Sequence, residues 1–214
     1  MSRQPAVVHI IDDDESLRLA LDSLFRSVGL GTRSYASAGE FLAADRPDVE
    51  GCLVLDIRLQ GISGLDFQEQ LAEGGIGIPV ILMTGFGDIP MSVRGMKAGA
   101  VDFLTKPFRE QEMLDAVTVA TERDRKRRMR KDDASDVEAK FRLLSNREQQ
   151  VMAMVTTGLL NKQVAGKLGI SEITVKIHRG SAMRKMGART LPDLVRMADL
   201  LRLRERTDLL NTTV

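Results

Sequence analysis

The sequence predicts a doubly wound α/β domain with a five-stranded parallel sheet, followed by a small all-helical domain. Three observations predict it. Short apolar runs alternate with helical spacing five times before about residue 121. Acidic, hydroxyl and lysine residues stand where those runs end. The charge also divides: residues 1–121 carry 10 Lys/Arg against 18 Asp/Glu, net −8, whereas residues 122–214 carry 21 against 12, net +9. An acidic half joined to a basic half implies different partners, with nucleic acid the first candidate for the basic one and plain scatter of surface charge the alternative.

Composition narrows the class. The chain has 214 residues, enough for two buried cores. Its one cysteine, Cys52, excludes an intramolecular disulfide framework and reads as a small core residue. With only His9 and His178, a Cys/His metal centre is disfavoured. No secretory leader is legible and no apolar run approaches the ~18 residues of a membrane span. A soluble, cytoplasmic protein with no membrane partner is expected.

Taken in order, Ala6 to Ile11 is apolar and mostly β-branched, a first buried strand that ends in Asp12, Asp13, Asp14 and Glu15. Leu17, Leu21, Leu24, Phe25 and Val28 then follow helical spacing until Gly29. Thr32 to Tyr35 supplies a second strand, and Ser37 with Glu40 makes a capping box ahead of Phe41. Cys52 to Leu55 is a continuous apolar run suited to a central strand; Asp56 ends it, and Gly61, Ser63 and Gly64 turn the chain into a helix from about Leu65 to Leu71. A strand Ile78 to Met83, a helix Ile89 to Lys97, a strand Ala100 to Thr105 and a helix from Glu110 complete the alternation.

Parallel strands bring their C-terminal ends to one edge. Asp12, Asp13, Asp56, Thr84, Gly85 and Lys106 therefore face one crevice. Three carboxylates in one place repel unless a hard cation neutralises them, and oxygen ligands with room for water suit Mg²⁺. A lysine, a hydroxyl and a backbone N–H around a carboxylate can hold the outer oxygens of a phosphoryl group. The chemistry implied is phosphoryl transfer onto Asp56 as nucleophile. Each residue alone also fits a turn or cap; four strand ends delivering complementary groups decide the case.

The runs IIDDDES, LDIRLQGISG, MTGFGD and DFLTKPF together resemble the receiver domain of two-component response regulators, from about Val7 to Ala120. The resemblance implies Asp56 as phosphoacceptor from a phosphohistidine of a sensor histidine kinase. It implies Asp12, Asp13, Asp56 and the backbone carbonyl of Arg58 as Mg²⁺ ligands. Thr84 and Lys106 would bind the phosphoryl group, and Phe103 would be the switch aromatic that turns inward as Thr84 moves. One departure is Gln60, where many receivers carry proline, so a more mobile loop beside the acceptor is expected. Asp14 reads as solvated.

Residues 122–139 form the joint. ERDRKRRMRK, Glu122 to Lys131, is almost entirely charged with no apolar face, and reads as a solvated helical linker; arginines touching DNA phosphate are the alternative. Beyond it, Ser145 and Glu148 form a capping box, and Val151, Met152 and Val155 a buried stripe. Asn161 is the expected cap of a short helix. Gly169 turns the chain, Ser171 caps, and a longer helix runs to about Met186, the pattern of a helix-turn-helix. At 100° per residue Val175, His178, Ala182 and Met186 share the packed arc, with Ile173, Lys176, Ile177, Gly180 and Arg184 opposite. Cations beside isoleucines suit the DNA major groove.

LLSNREQQVMAMVTTGLLNKQVAGKLGISEITVKIHR, continuing into MRKMGART, resembles the LuxR-type helix-turn-helix, about Lys140 to Leu201. With a receiver it marks the FixJ/NarL group of response regulators. The resemblance implies four helices, Lys176 and Ile177 at base-contacting positions, and Leu191 to Leu203 available for dimerisation. The organisation expected is a receiver over 1–121, a linker over 122–139 and a DNA-binding domain over 140–214. The function expected is a transcription factor whose phosphorylation drives homodimerisation and binding of double-stranded promoter DNA, with RNA polymerase a candidate further partner. It would be no enzyme beyond its own phosphorylation and dephosphorylation. Two rivals stand beside it: a Mg²⁺-dependent aspartyl-phosphate phosphatase, disfavoured because the acceptor lies on the third strand without a D-x-D pattern, and a C-terminal protein-docking module.

Overall fold

The computed structural model describes residues 5–85, 89–201 and 203. Phe86 to Asp88 of the MTGFGD run, and Arg202 of the segment expected to dimerise, lie outside them. The chain folds as two units, Met1–Arg128 and Met129–Val214.

In the first unit five strands, β1 (Val7–Ile11), β2 (Gly31–Tyr35), β3 (Gly51–Asp56), β4 (Val80–Thr84) and β5 (Asp102–Thr105), pair in the order β2-β1-β3-β4-β5, all parallel. β3 is buried along its whole length, as its unbroken apolar run requires. Its side chains alternate between two cores. Leu53 and Leu55 pack with Phe41, Leu65, Phe67 and Leu82, under helices α2 (Ala38–Ala43), α3 (Gly64–Glu73) and α4 (Ile89–Lys97). Cys52 and Val54 pack with Leu21, Phe25, Met113, Ala116, Val117 and Ala120, under α1 (Glu15–Ser27) and the long α5 (Glu110–Arg142). Cys52 is fully buried, and burial pushes its thiol far up, so it is chemically inert core.

The caps explain the helix starts. Asp14 accepts from the N–H groups of Ser16 and Leu17 at the head of α1, so the third acid of the run has a structural task. At α2 the Ser37 hydroxyl accepts from Glu40 N–H as expected, but the Glu40 carboxylate reaches Ala36 N–H rather than closing on Ser37. α5 departs most from the sequence expectation. It runs unbroken for 33 residues, and Asp124 within the charged stretch is buried, accepting from Gly51 N–H at 3.1 Å and from Arg127 and Arg128. Arg128 also pairs with Asp48. The charged run is therefore seated on the N-terminal edge of the sheet as far as Arg128.

In the second unit α6 (Asn146–Thr156), α7 (Asn161–Leu168), α8 (Glu172–Met186) and α9 (Leu191–Leu200) surround Val151, Met152, Val164, Val175, Ala182, Met186, Leu194 and Ala198, with Val137 from the end of α5. The Ser145/Glu148 capping box forms. Asn161 does not cap α7: it is the first helical residue, its side chain accepting from Arg179 at 3.2 Å, while Gln163 bonds back to Leu160 N–H. Among the described residues no helix is long and apolar enough to cross a membrane.

His9 is buried in β1, 3.1 Å from the Tyr35 hydroxyl and edge-on to Phe41. Burial, then the charges of Arg33 and Arg46, push it down from the usual histidine range to about 4. Between that value and about 6.5 the unfolded chain binds a proton that the folded chain does not. Its contribution to stability is thus intact above this window and is lost as pH falls through it. Urea unfolding followed by the fluorescence of Tyr35, the single tyrosine, should show wild type losing stability from pH 6.5 to 4. His9→Gln, which keeps a partner for Tyr35, should show a shallower loss; parallel curves would mean that His9 does not titrate there.

Candidate functional sites: an acidic pocket and a helix-turn-helix

The strand order reverses between β1 and β3, since β2 lies outward of one and β4 outward of the other. A crevice opens at such a switch point, above the C-terminal ends of the strands. Register sets what enters it: Ile11 pairs with Leu55, so Asp12 and Asp56 emerge side by side. Asp12 is fully buried, Asp56 nearly so, and Asp13 exposed.

Lys106, one residue past β5, reaches across to both buried carboxylates. Its Nζ lies 2.7 Å from Asp12 Oδ2 and 3.2 Å from Asp56 Oδ2. Burial raises the Asp12 carboxyl above its usual range, opposed by the Lys106 and Asp14 hydrogen bonds and reinforced by the Asp56 charge. Burial likewise disfavours the Lys106 ammonium, but the Asp12 bond and the Asp56 charge outweigh it and raise the lysine. Further bonds set the pocket. Arg58 N–H approaches Asp56 Oδ1 at 3.3 Å, Arg18 Nη1 donates to the Asp12 carbonyl at 2.7 Å, and Lys106 N–H donates to the Thr84 carbonyl at 2.7 Å. Thr84 is buried at the end of β4, and the Lys106–Pro107 peptide is cis.

The loop after Asp56 is folded tightly back. Gly64 N–H bonds Ile57 O at 2.9 Å, and a Cβ on Gly64 would lie 2.2 Å from the Asp56 carbonyl oxygen, so only glycine fits. Gln60 is exposed in this loop, which is pinned at its ends by an Arg58–Ser63 bridge. Phe103, on β5, is half-buried against the Leu82 side of the core.

One carboxylate oxygen from each of Asp12, Asp13 and Asp56 lies within 4.8 Å of the others. Three hard oxygen donors at that spacing, one of them solvent-facing, fit a Mg²⁺ that keeps several waters. The pocket thus brings together Asp12, Asp13, Asp56 and Lys106; Thr84 is buried at the end of β4, Arg58 follows two residues after Asp56, and Phe103 lies on the adjacent core face.

In the second unit, Gly169 in the left-handed conformation (φ 64°) ends α7 and the Ser171 hydroxyl caps α8 through Thr174 N–H. Val175, Ala182 and Met186 are fully buried and His178 half-buried, whereas Ile173, Lys176, Ile177 and Arg184 are exposed; Gly180 lies between. Ile173 is 73% and Ile177 63% exposed, two large apolar side chains that a purely solvent-facing helix would not favour. α8 is fixed from behind by Lys185, which donates to the buried Glu148 carboxylate at 2.7 Å. Lys185 and then Ser181 hold Glu148 down at about 2, against the cost of burial.

Sequence reasoning passed over Asp124, Arg18 and Gln68, a buried amide on α3. For Asp124 a signal existed: it continues the spacing of Met113, Val117 and Ala120, the buried stripe of α5. Arg18 and Gln68 carried none.

A carboxylate pocket with a bridging lysine at the edge of a doubly wound sheet, joined to a helix-turn-helix, defines a response regulator with a DNA-binding output. Residues 8–118 match the family described as response regulator receiver domain, and residues 142–198 match bacterial regulatory proteins of the luxR family. Nodulation protein W of Bradyrhizobium diazoefficiens is 58% identical over 92% of this chain and 86% of its own. Response regulator protein TodT of Pseudomonas putida is 47% identical over 94% and 89%. Among solved structures, response regulator StyR aligns over 91% of this chain and 98% of its own with a TM-score of 0.78 and 45% identity. Full-length FixJ from B. japonicum aligns over 93% and 98% with a TM-score of 0.56 and 35% identity. The chain belongs to the two-component response regulators that join a receiver to a LuxR-type DNA-binding domain, and it is a transcriptional regulator.

Lys185→Met should lower stability by about 1–2 kcal/mol, because it strips a half-exposed partner from a buried carboxylate. The depressed Glu148 group stabilises above the usual glutamate range and loses that contribution as pH falls toward 2. The deficit of the variant, read as a thermal midpoint, should therefore be largest at neutral pH and shrink below about pH 4; a deficit independent of pH would place the effect in packing.

Proposed function

We propose that Asp56 accepts a phosphoryl group from a phosphohistidine of a sensor histidine kinase, and that the phosphorylated chain dimerises and binds paired half-sites in promoter DNA. The observation that carries this reading is Lys106 within 3.2 Å of both Asp12 and Asp56 in a chain that also holds a helix-turn-helix. An Asp56 carboxylate oxygen forms the new O–P bond as the N–P bond to the imidazole breaks. The Lys106 ammonium then binds one outer phosphoryl oxygen and the Thr84 hydroxyl another, and Asp12 and Asp13 with Asp56 and the Arg58 carbonyl hold Mg²⁺. When bound, the ion supplies charge neutralisation for the transferring oxygens. Hydrolysis of the acyl phosphate by water, within the same pocket, resets the switch.

Phosphorylation adds about −1.5 to −2 charges where Lys106 already stands, and draws Thr84 inward, so that Phe103 turns into the space behind it. The surface of α4, β5 and α5 changes with it. Moving a two-state equilibrium from 1:99 to 99:1 takes ~5.5 kcal/mol of differential stabilisation, so the phosphoryl contacts share that load with dimerisation and with avidity for two half-sites. On DNA, Lys176 and Arg184 meet phosphate or guanine, Ile173 and Ile177 meet thymine methyls, and Gly180 lets the backbone approach.

The test is retention of duplexes from a randomised pool, with and without a small-molecule phosphodonor and Mg²⁺. Wild type should enrich a paired half-site more strongly with phosphodonor, and Asp56→Asn should lose that increment. Lys176→Ala should weaken binding about tenfold, the scale of one base or phosphate contact, without changing phosphorylation. Equal enrichment by wild type and Asp56→Asn in all conditions would remove Asp56 from control, and no enrichment under any condition would favour the docking-module rival.

A further inference from the structure

On α4, Met91 packs half-buried against the core beneath. The one buried residue of the helix is Gly95, while Ile89, Val93 and Met96 are exposed. Polar contacts to α3 add to this, in two layers. At the surface Arg94 pairs with Asp66 at 2.6 Å and Glu69 at 3.0 Å. Beneath, Gln68 donates from Nε2 to the Gly95 carbonyl at 3.2 Å, and that same carbonyl accepts Ala100 N–H at 3.1 Å where the chain leaves α4 for β5.

Gln68 is buried, and its Oε1 has no hydrogen-bond partner among the described residues. An unpaired buried acceptor is a cost that an apolar side chain of the same shape avoids. Core stability therefore does not account for an amide here; its bond to α4 does. Gly95 marks how close the seat is: a Cβ there would lie 2.4 Å from Leu82 Cδ1, 3.3 Å from Leu65 Cδ2 and 3.8 Å from the Phe103 ring. The latch thus ends on the backbone of α4 directly over Leu82 and beside Phe103.

We propose that Gln68 is a positioning residue that latches α4 in its resting seat through the Gly95 carbonyl, and so biases the change of the α4, β5 and α5 surface toward the unphosphorylated state. The inference rests on the phosphorylation switch proposed above.

The test uses the full chain with Gln68→Leu and Gly95→Ala, reading hydrogen exchange of the Ile89–Lys97 amides and DNA retention, each with and without phosphodonor and Mg²⁺. Without phosphodonor, Gln68→Leu should raise exchange in α4 and DNA retention about fivefold, the ratio carried by one net hydrogen bond. Retention by the phosphorylated protein should stay unchanged, so the response narrows from the resting side. Gly95→Ala, which crowds Leu82, should shift both readings in the same direction. Unchanged α4 exchange in Gln68→Leu would overturn the latch, as would resting and phosphorylated retention falling together, the mark of a merely structural role. If wild type itself fails to respond to phosphodonor, the switch reading fails, and α4 exchange without phosphodonor alone then decides whether Gln68 holds the helix.

Discussion

Two carboxylates buried side by side repel, and the receiver unit tolerates Asp12 and Asp56 together because the Lys106 ammonium touches both. Everything about the sheet serves that contact. β1 and β3 must be neighbours in parallel register to bring the acids together. β4 and β5 must follow in order, with Thr84 beside Thr105, so that the residue after β5 can reach back across the crevice. Burial still leaves the Asp12 carboxyl raised above its usual range, and removing Lys106 would leave two neighbouring carboxylates without the ammonium that touches both. Under the proposed phosphorylation, a new anion on Asp56 would find its counter-charge already in place.

The parts around the pocket differ in how firmly they are held, and the difference has a functional sense. β3 is buried throughout, and the tight return at Gly64 leaves no room for even a methyl group, so Asp56 is held in place. α4 lies at the other extreme, with Gly95 its one buried residue and Met91 only half-buried on the core. A switch needs both: a rigid element on which the charge changes, and an element whose alternative positions differ by little free energy. The seating of α5 through Asp124 extends the rigid part along the charged run to Arg128.

The DNA-binding unit applies the same division on a smaller scale. α8 presents one face to the core through Val175, Ala182 and Met186, and Lys185 fixes it to the buried Glu148 that also closes the α6 capping box. Its opposite face is left unpacked, with Ile173, Ile177 and Lys176 projecting. A recognition surface works only if the helix presenting it does not adjust, and the pair between half-exposed Lys185 and buried Glu148 constrains α8 from its other side.

Much of this was legible in the amino-acid order. Apolar runs too continuous for a half-exposed strand implied a parallel sheet, and residues at the ends of such runs must share one edge whatever the details of packing, so the pocket could be named by residue. Helical periodicity alone separated the buried from the exposed face of α8. What sequence could not disclose depends on contacts between residues distant in the chain. The spacing of α5 could have marked Asp124 as buried, but not that Gly51, 73 positions away, is its donor. Gln68, passed over in the sequence, donates to the Gly95 carbonyl 27 positions away, and Asn161, expected as a cap, leaves that task to Gln163 and instead accepts from Arg179. Periodicity and strand-end chemistry are local properties written along the chain; the partner of a buried polar group is a property of two places at once, and only the tertiary structure decides it.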